Sequence, residues 1–275
     1  MPELPEAETI RKALEQILPG RRIENVEVFS PAMREPLTPL LSAGLPGRTF
    51  TGIRRRGRYL LADLDDGRAA LMHFGMSGVV RVEETGKYPR RKHEHLFLHL
   101  SGGLTYKFEC TRRFSIFKIC TPTGRERIPQ ELAHLGTEPL SDAFCGKMLF
   151  ALSRDRKTPV KNFIMDNRIV TGIGNIYATE TLYAARISPQ RSAGTLTEKE
   201  CARITGEAKT ILQRAIEAGG SSISDFLHVD GTEGKFAQEL SAYGKCGTLC
   251  PRCGEIFSTV KIGGRSSCFC PGCQK

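Results

Sequence analysis

The chain has 275 residues, 40% of them hydrophobic, with a formal net charge of +10 and an isoelectric point near 9.2. That length allows two domains and a sizeable core, and 40 Lys and Arg against 30 Asp and Glu suit a polyanionic partner. No run approaches the ~18 apolar residues of a membrane helix and no basic-then-apolar leader opens the chain. A helical span is therefore excluded and a cytoplasmic monomer expected, in which ten cysteines point to metal or free thiols before disulfides.

The first six residues, Met1-Pro2-Glu3-Leu4-Pro5-Glu6, offer a specific chemistry. Pro2 is small, so Met1 is removable after synthesis, leaving a secondary amine at the terminus. An α-amino group titrates near pH ~7.7–8, so roughly a tenth of it is free base at neutrality. Such an amine attacks a carbon of aldehyde character and gives an iminium, an electron sink. Glu3 is the nearest carboxylate for proton transfer. The two prolines predict an extended start. Ile10, Leu14, Ile17 and Leu18 then recur at helical spacing over 6–18, and Pro19-Gly20 ends that helix.

Eight strand-like runs follow, at 23–29, 50–56, 59–64, 69–73, 79–82, 96–100, 104–108 and 114–120, punctuated by Gly, Asp and Pro. One helix followed by many short strands predicts an α+β protein that opens with a sandwich or flattened barrel. Arg54-Arg55-Arg56-Gly57-Arg58 reads either as a solvated strand edge or as a phosphate-binding cluster. By residue type alone Met76 reads as core, and Phe114 as core or exposed.

Pro122, Gly124, Pro129, Gly136 and Pro139 mark a linker over 121–139, after which Ser141 is expected to cap a helix running to about Leu152. A basic run, 154–161, contains Arg156 and Lys161, with Pro159 at a helix start. Gly172 and Gly174 precede a helix beginning at Asn175, and a helix N-terminus is an anion site. A long amphipathic helix is predicted over 197–218, stopped by Gly219-Gly220, then a short helix at 221–226 and a polar loop at 227–235.

Cys250-Pro251-Arg252-Cys253 and Cys270-Pro271-Gly272-Cys273 stand sixteen residues apart. Four thiolates in two C-x2-C knuckles suit one tetrahedral, structural Zn2+. Two strand-like runs, 256–262 and 266–269, joined by Gly263-Gly264, complete a zinc-stapled β-hairpin. Cys246 and Cys268 break the paired spacing and are left out. A closed site gives the metal no hydrolytic role.

The opening MPELPE resembles that of the bacterial formamidopyrimidine-DNA glycosylases, the MutM proteins. The resemblance continues through His73-Phe74-Gly75-Met76-Ser77-Gly78, Lys92-His93-Glu94-His95, Arg112-Arg113-Phe114, His134-Leu135-Gly136-Thr137-Glu138-Pro139-Leu140 and residues 164–185 to Cys273-Gln274-Lys275. It implies a two-layer β-sandwich flanked by helices (1–135), a helix–two-turn–helix domain (136–240) and a zinc β-hairpin (241–275). It also implies a bifunctional glycosylase and AP lyase acting on double-stranded DNA that carries an oxidised base or an abasic site. In that family's scheme Pro2 attacks the sugar C1′ of an extruded nucleotide and Glu3 is the acid. Arg265 assists the departing phosphate, while His93, Arg156, Lys161 and Asn175 hold the DNA backbone. Arg112 faces the opposite base, Met76 fills the gap and Phe114 wedges between bases.

The sequence departs from the family at two places. Arg58 stands where a lysine is assigned as proton donor for β-elimination. Arginine is always protonated, so phosphate binding is the expectation here. Cys110-Thr111 stand where Asp-Pro is usual. Three alternatives remain open: an endonuclease-VIII-type enzyme for oxidised pyrimidines, a monofunctional glycosylase, and a non-catalytic zinc-dependent protein that binds damaged DNA.

Overall fold

The computed structural model describes residues 2–221 and 234–275. It contains two compact units, Met1–Ala133 with Gly219–Lys235, and His134–Ala218 with Phe236–Lys275. Most of the short helix and polar loop expected between 221 and 235 lies outside the described residues.

The first unit begins with helix α1, Leu4–Glu15, whose Leu4, Ala7, Ile10 and Leu14 are buried at helical spacing. The expected extended start is therefore corrected. Pro5 falls in the first turn, where no N–H is needed and its fixed φ is already helical. Two antiparallel four-stranded sheets follow. One runs in the order β1 (Ile23–Val28), β6 (Glu94–Leu100), β7 (Leu104–Cys110), β5 (Gly78–Glu84). The other runs β2 (Phe50–Arg56), β3 (Tyr59–Leu64), β4 (Ala69–His73), β8 (Ile116–Cys120). The two layers enclose a shared core that includes Phe50, Leu60, Met72, Leu98, Tyr106 and Phe117. A short helix α2, Pro39–Gly44, has too few apolar residues to be periodic and escaped the sequence reading.

In the second unit, the helix expected from Ser141 instead begins at Gly146 (α3, Gly146–Ser153). The Ser141 hydroxyl donates back to the Glu138 carbonyl at 2.8 Å within a turn, and the N-cap position of α3 falls on Cys145. Helices α4 (Val160–Ile164), α5 (Asn175–Ala184) and α6 (Glu198–Glu217) follow as spaced in the sequence. Thr197 and Glu200 form a capping box at the head of α6, and Gly219 and Gly220 take positive φ just beyond its end. The chain closes with the hairpin β9 (Ser258–Ile262) and β10 (Arg265–Phe269), turning at Gly263-Gly264. Among the described residues no helix is long and apolar enough to cross a membrane.

Candidate active site and metal centre

Helix α1 places Pro2 and Glu3. Pro2 is buried, and Glu3, the N-cap of α1, is only 4% exposed. The Glu3 N–H donates to Glu6 Oε2 at 2.9 Å. The other Glu6 oxygen accepts both the backbone N–H and the hydroxyl of Ser221, each at 2.8 Å. One buried carboxylate thus fixes the Pro2-Glu3 peptide and a residue 215 positions downstream. Charge-assisted bonds of this kind are about twice as strong as neutral ones. The sequence reading missed Glu6. Its signal was an acid at the third helical position, able to reach back to the N-cap amide.

The basic cluster at 54–58 divides. Arg54 makes a bidentate pair with Asp63 at 2.6 and 2.8 Å, and Arg55 pairs with Glu8 of α1 at 2.8 Å. These two arginines brace the sheet and helix. Arg58, in the β2–β3 turn after Gly57 (φ +58), is 7% exposed, so the cluster is not a solvated edge.

His73, at the end of β4, accepts the Gly75 N–H on Nδ1 at 3.2 Å, which requires a neutral ring. Burial, reinforced by the charges of Arg58 and Arg34, pushes its pKa down to about 4. The unfolded chain binds a proton near pH ~6.5 that the folded chain refuses. Stability should therefore fall as pH drops from there toward 4, by up to about 3 kcal/mol. Urea midpoints between pH 7 and 4.5 should show a shallower pH slope in His73→Asn than in the wild type.

Two loops leave the sandwich together. Met76 is 41% and Phe114 48% exposed, and both lie outside the strands, which corrects the core reading of Met76 and the strand predicted to start at 114. Arg112 is exposed, and its guanidinium lies 5.6 Å from the Phe114 ring centre. Its N–H donates to Ser77 Oγ at 3.0 Å. His93 sits in a turn, and His95 is buried with Nε2 donating to the Cys110 carbonyl at 3.0 Å.

In the second unit Lys161, only 1% exposed, donates to Ser267 Oγ of β10 at 2.7 Å. Asn175 opens α5, and its Nδ2 reaches the Ser266 carbonyl at 3.4 Å. The hairpin thus packs against the N-terminus of α5. Arg156 is exposed, in a turn whose carbonyl accepts from Gly194 and Ser192. Arg265 is exposed at the start of β10. Glu180, also missed in the sequence, accepts three backbone N–H bonds from Ser241, Ala242 and Tyr243 at 2.7–2.9 Å, anchoring the entry to the hairpin on α5.

The sulfurs of Cys250, Cys253, Cys270 and Cys273 all lie within 4.8 Å of one another. Two of the pairs stand at 3.4 and 3.8 Å, and tetrahedral zinc with ~2.3 Å bonds needs sulfurs about 3.8 Å apart. Burial raises the Cys250 thiol, but hydrogen bonds from the Tyr183 hydroxyl and the Arg252 and Cys253 amides outweigh it and hold it down at about 6. Burial and its crowded neighbours push Cys273 up to about 12. Thiols that compete this strongly for protons are those a dication would bind as thiolates. The donor set fits one structural Zn2+, and Cys246 and Cys268 stand outside it.

Three family models match: the formamidopyrimidine-DNA glycosylase N-terminal domain over residues 1–117, the H2TH domain of the same glycosylases over 135–227, and a zinc finger found in FPG and IleRS over 247–275. A formamidopyrimidine-DNA glycosylase of Xanthomonas euvesicatoria is 43% identical over 275 residues, all of both chains. A point mutant of the Lactococcus lactis FPG protein, solved with DNA containing Fapy-dG, superposes with a TM-score of 0.89 at 32% identity over the full length of both. The Lactococcus lactis protein with DNA containing an abasic site gives 0.88 at 32%, covering 99% of each chain.

Proposed function

Since the chain belongs to the formamidopyrimidine-DNA glycosylase family, we propose that it excises oxidised purines, such as 8-oxoguanine and formamidopyrimidines, from duplex DNA and then cuts the strand. The observation that carries this reading is the buried Pro2-Glu3 peptide, pinned through Glu6 at the head of α1. The free Pro2 amine attacks C1′ of the extruded nucleotide, Glu3 protonates the opening sugar, and the base leaves. The resulting iminium acidifies the C2′ proton. β-elimination then releases the 3′ phosphate and δ-elimination the 5′ phosphate. Arg265 stabilises the departing phosphate.

Met76, Arg112 and Phe114 occupy the space vacated in the stack, and His93, Arg156, Lys161 and Asn175 grip the backbone. Residues 1–135 carry the chemistry, 136–240 the backbone grip and 241–275 the zinc-held hairpin. The protein works as a monomer on nucleoid DNA in the cytoplasm.

Borohydride treatment on an abasic duplex tests the reading: a covalent protein–DNA adduct is the expected result, and its absence overturns it. Faster cleavage at thymine glycol than at 8-oxoguanine would favour the pyrimidine-directed alternative. Arg58, a permanent cation, binds phosphate and transfers no proton. Arg58→Lys should raise the lyase rate about tenfold or more without changing base release, as general acid catalysis returns. Gel assays with and without alkali separate the two steps, and an unchanged lyase rate removes Arg58 from the elimination step.

A further inference from the structure

Strand β7 ends at Cys110, whose side chain is completely buried. It lies between two loops far apart in sequence, 74–78 with Met76 at its tip and 111–115 with Arg112 and Phe114. The sulfur stands 2.9 Å from Ser115 Oγ and 4.0 Å from Ser77 Oγ.

The Ser115 hydroxyl donates to the Phe74 carbonyl at 2.8 Å and to the Cys110 sulfur at 2.9 Å. On the other side the sulfur meets the Ser77 hydroxyl, whose oxygen accepts the Arg112 backbone N–H at 3.0 Å. The chain of bonds runs from Arg112 N–H through Ser77, Cys110 and Ser115 to the Phe74 carbonyl, with its first and last groups on different loops.

Backbone packing reinforces the link. At Gly75 (φ +59) a Cβ would stand 2.6 Å from the Phe114 carbonyl carbon and oxygen. At Gly78 it would stand 2.3 Å from the Phe74 oxygen and 2.5 Å from Ser115 Oγ. No side chain fits between the loops. Cys110 itself is held by its N–H to the His93 carbonyl at 2.9 Å and by His95 on its own carbonyl.

We propose that Cys110 is a positioning residue that joins the Met76 and Phe114 tips into one rigid insertion device, so that both enter the base stack in a single step. This rests on the glycosylase reading above, but its first test does not. Amide hydrogen exchange of the free protein, read by mass spectrometry, should give peptides covering 74–78 and 111–115 a common opening rate. Cys110→Ala should speed both by about tenfold and separate them, while Cys110→Ser, which keeps a donor and an acceptor, should stay near wild type. Unchanged exchange in Cys110→Ala, with the rest of the sandwich protected, overturns the proposal.

A second arm reads the coupling in catalysis. In the wild-type background Met76→Ala and Phe114→Ala should be non-additive in single-turnover excision from a lesion duplex, and in Cys110→Ala they should become additive. Additivity already in the wild type overturns the proposal. Cleavage of a single-stranded abasic oligonucleotide, which has no stack to enter, should be unaffected by Cys110→Ala. If the wild type traps no DNA with borohydride, the glycosylase reading falls, and the exchange result still decides whether the loops are joined.

Discussion

Acetylating the Pro2 nitrogen, or isolating the form that retains Met1, should abolish borohydride trapping on an abasic duplex and slow lesion excision by roughly 10³-fold or more. Affinity for the same duplex should change little. The distinction follows from where the amine sits. Pro2 is buried at the head of α1 beside the Glu6 carboxylate. Amide formation removes the nitrogen lone pair, so no iminium forms, and neither elimination has its electron sink. Activity should also rise with pH through the range of an α-amino group, about 7.7–8, because the ammonium form is inert. Intact mass identifies the state of the terminus, and gel shifts report affinity separately. Full strand cutting by the acetylated protein would refute the mechanism, whatever its affinity for DNA.

Chelating the zinc should be the most destructive change to the second unit. Structural zinc in a four-cysteine site contributes on the order of 10–16 kcal/mol at neutral pH, comparable to the whole stability of a typical domain. Cys250 and Cys270 are buried among Tyr183, Ala242 and Phe257, which form a small cluster of their own. Without metal, that cluster must accommodate crowded thiols and uncompensated charge. Hydrogen exchange should rise across 241–275 and stay low in the sandwich, while duplex affinity falls about 100-fold. The sign with pH is fixed. The ligands bind as thiolates, protons compete with the metal, and the chelator concentration needed for half release should fall as pH falls. A metallochromic indicator measures the release. Unchanged exchange in 241–275 after complete removal would show that the hairpin stands without it.

How much was readable in advance depended on whether the deciding interaction was local. The zinc hairpin was legible because two C-x2-C pairs and a Gly-Gly turn state the geometry within 24 residues. Helix α6 was legible because its amphipathic spacing runs to a stop at Gly219-Gly220. The prolines at the terminus were misleading. Their effect depends on position in the first turn, which only the location of the N-cap reveals. Ser141 failed as a cap because the helix begins only at Gly146, with Cys145 at the N-cap. The cluster at 54–58 looked uniform, and only the register with Asp63 and the approach of Glu8 divide it. The local half of the Glu6 network was legible as an acid at the third helical position, but its bond to Ser221 and that of Cys110 to Ser115 were not, since each joins separate segments.

The bond from Ser221 to Glu6 also bears on when the protein becomes active during its own synthesis. The carboxylate that accepts the Glu3 N–H awaits a partner made 215 residues later. At about 5–20 residues per second, the ribosome needs roughly 10–40 s to reach it. A nascent chain therefore emerges without the Ser221 contact, and the Glu6 network is completed only after the helices of the second unit have been translated.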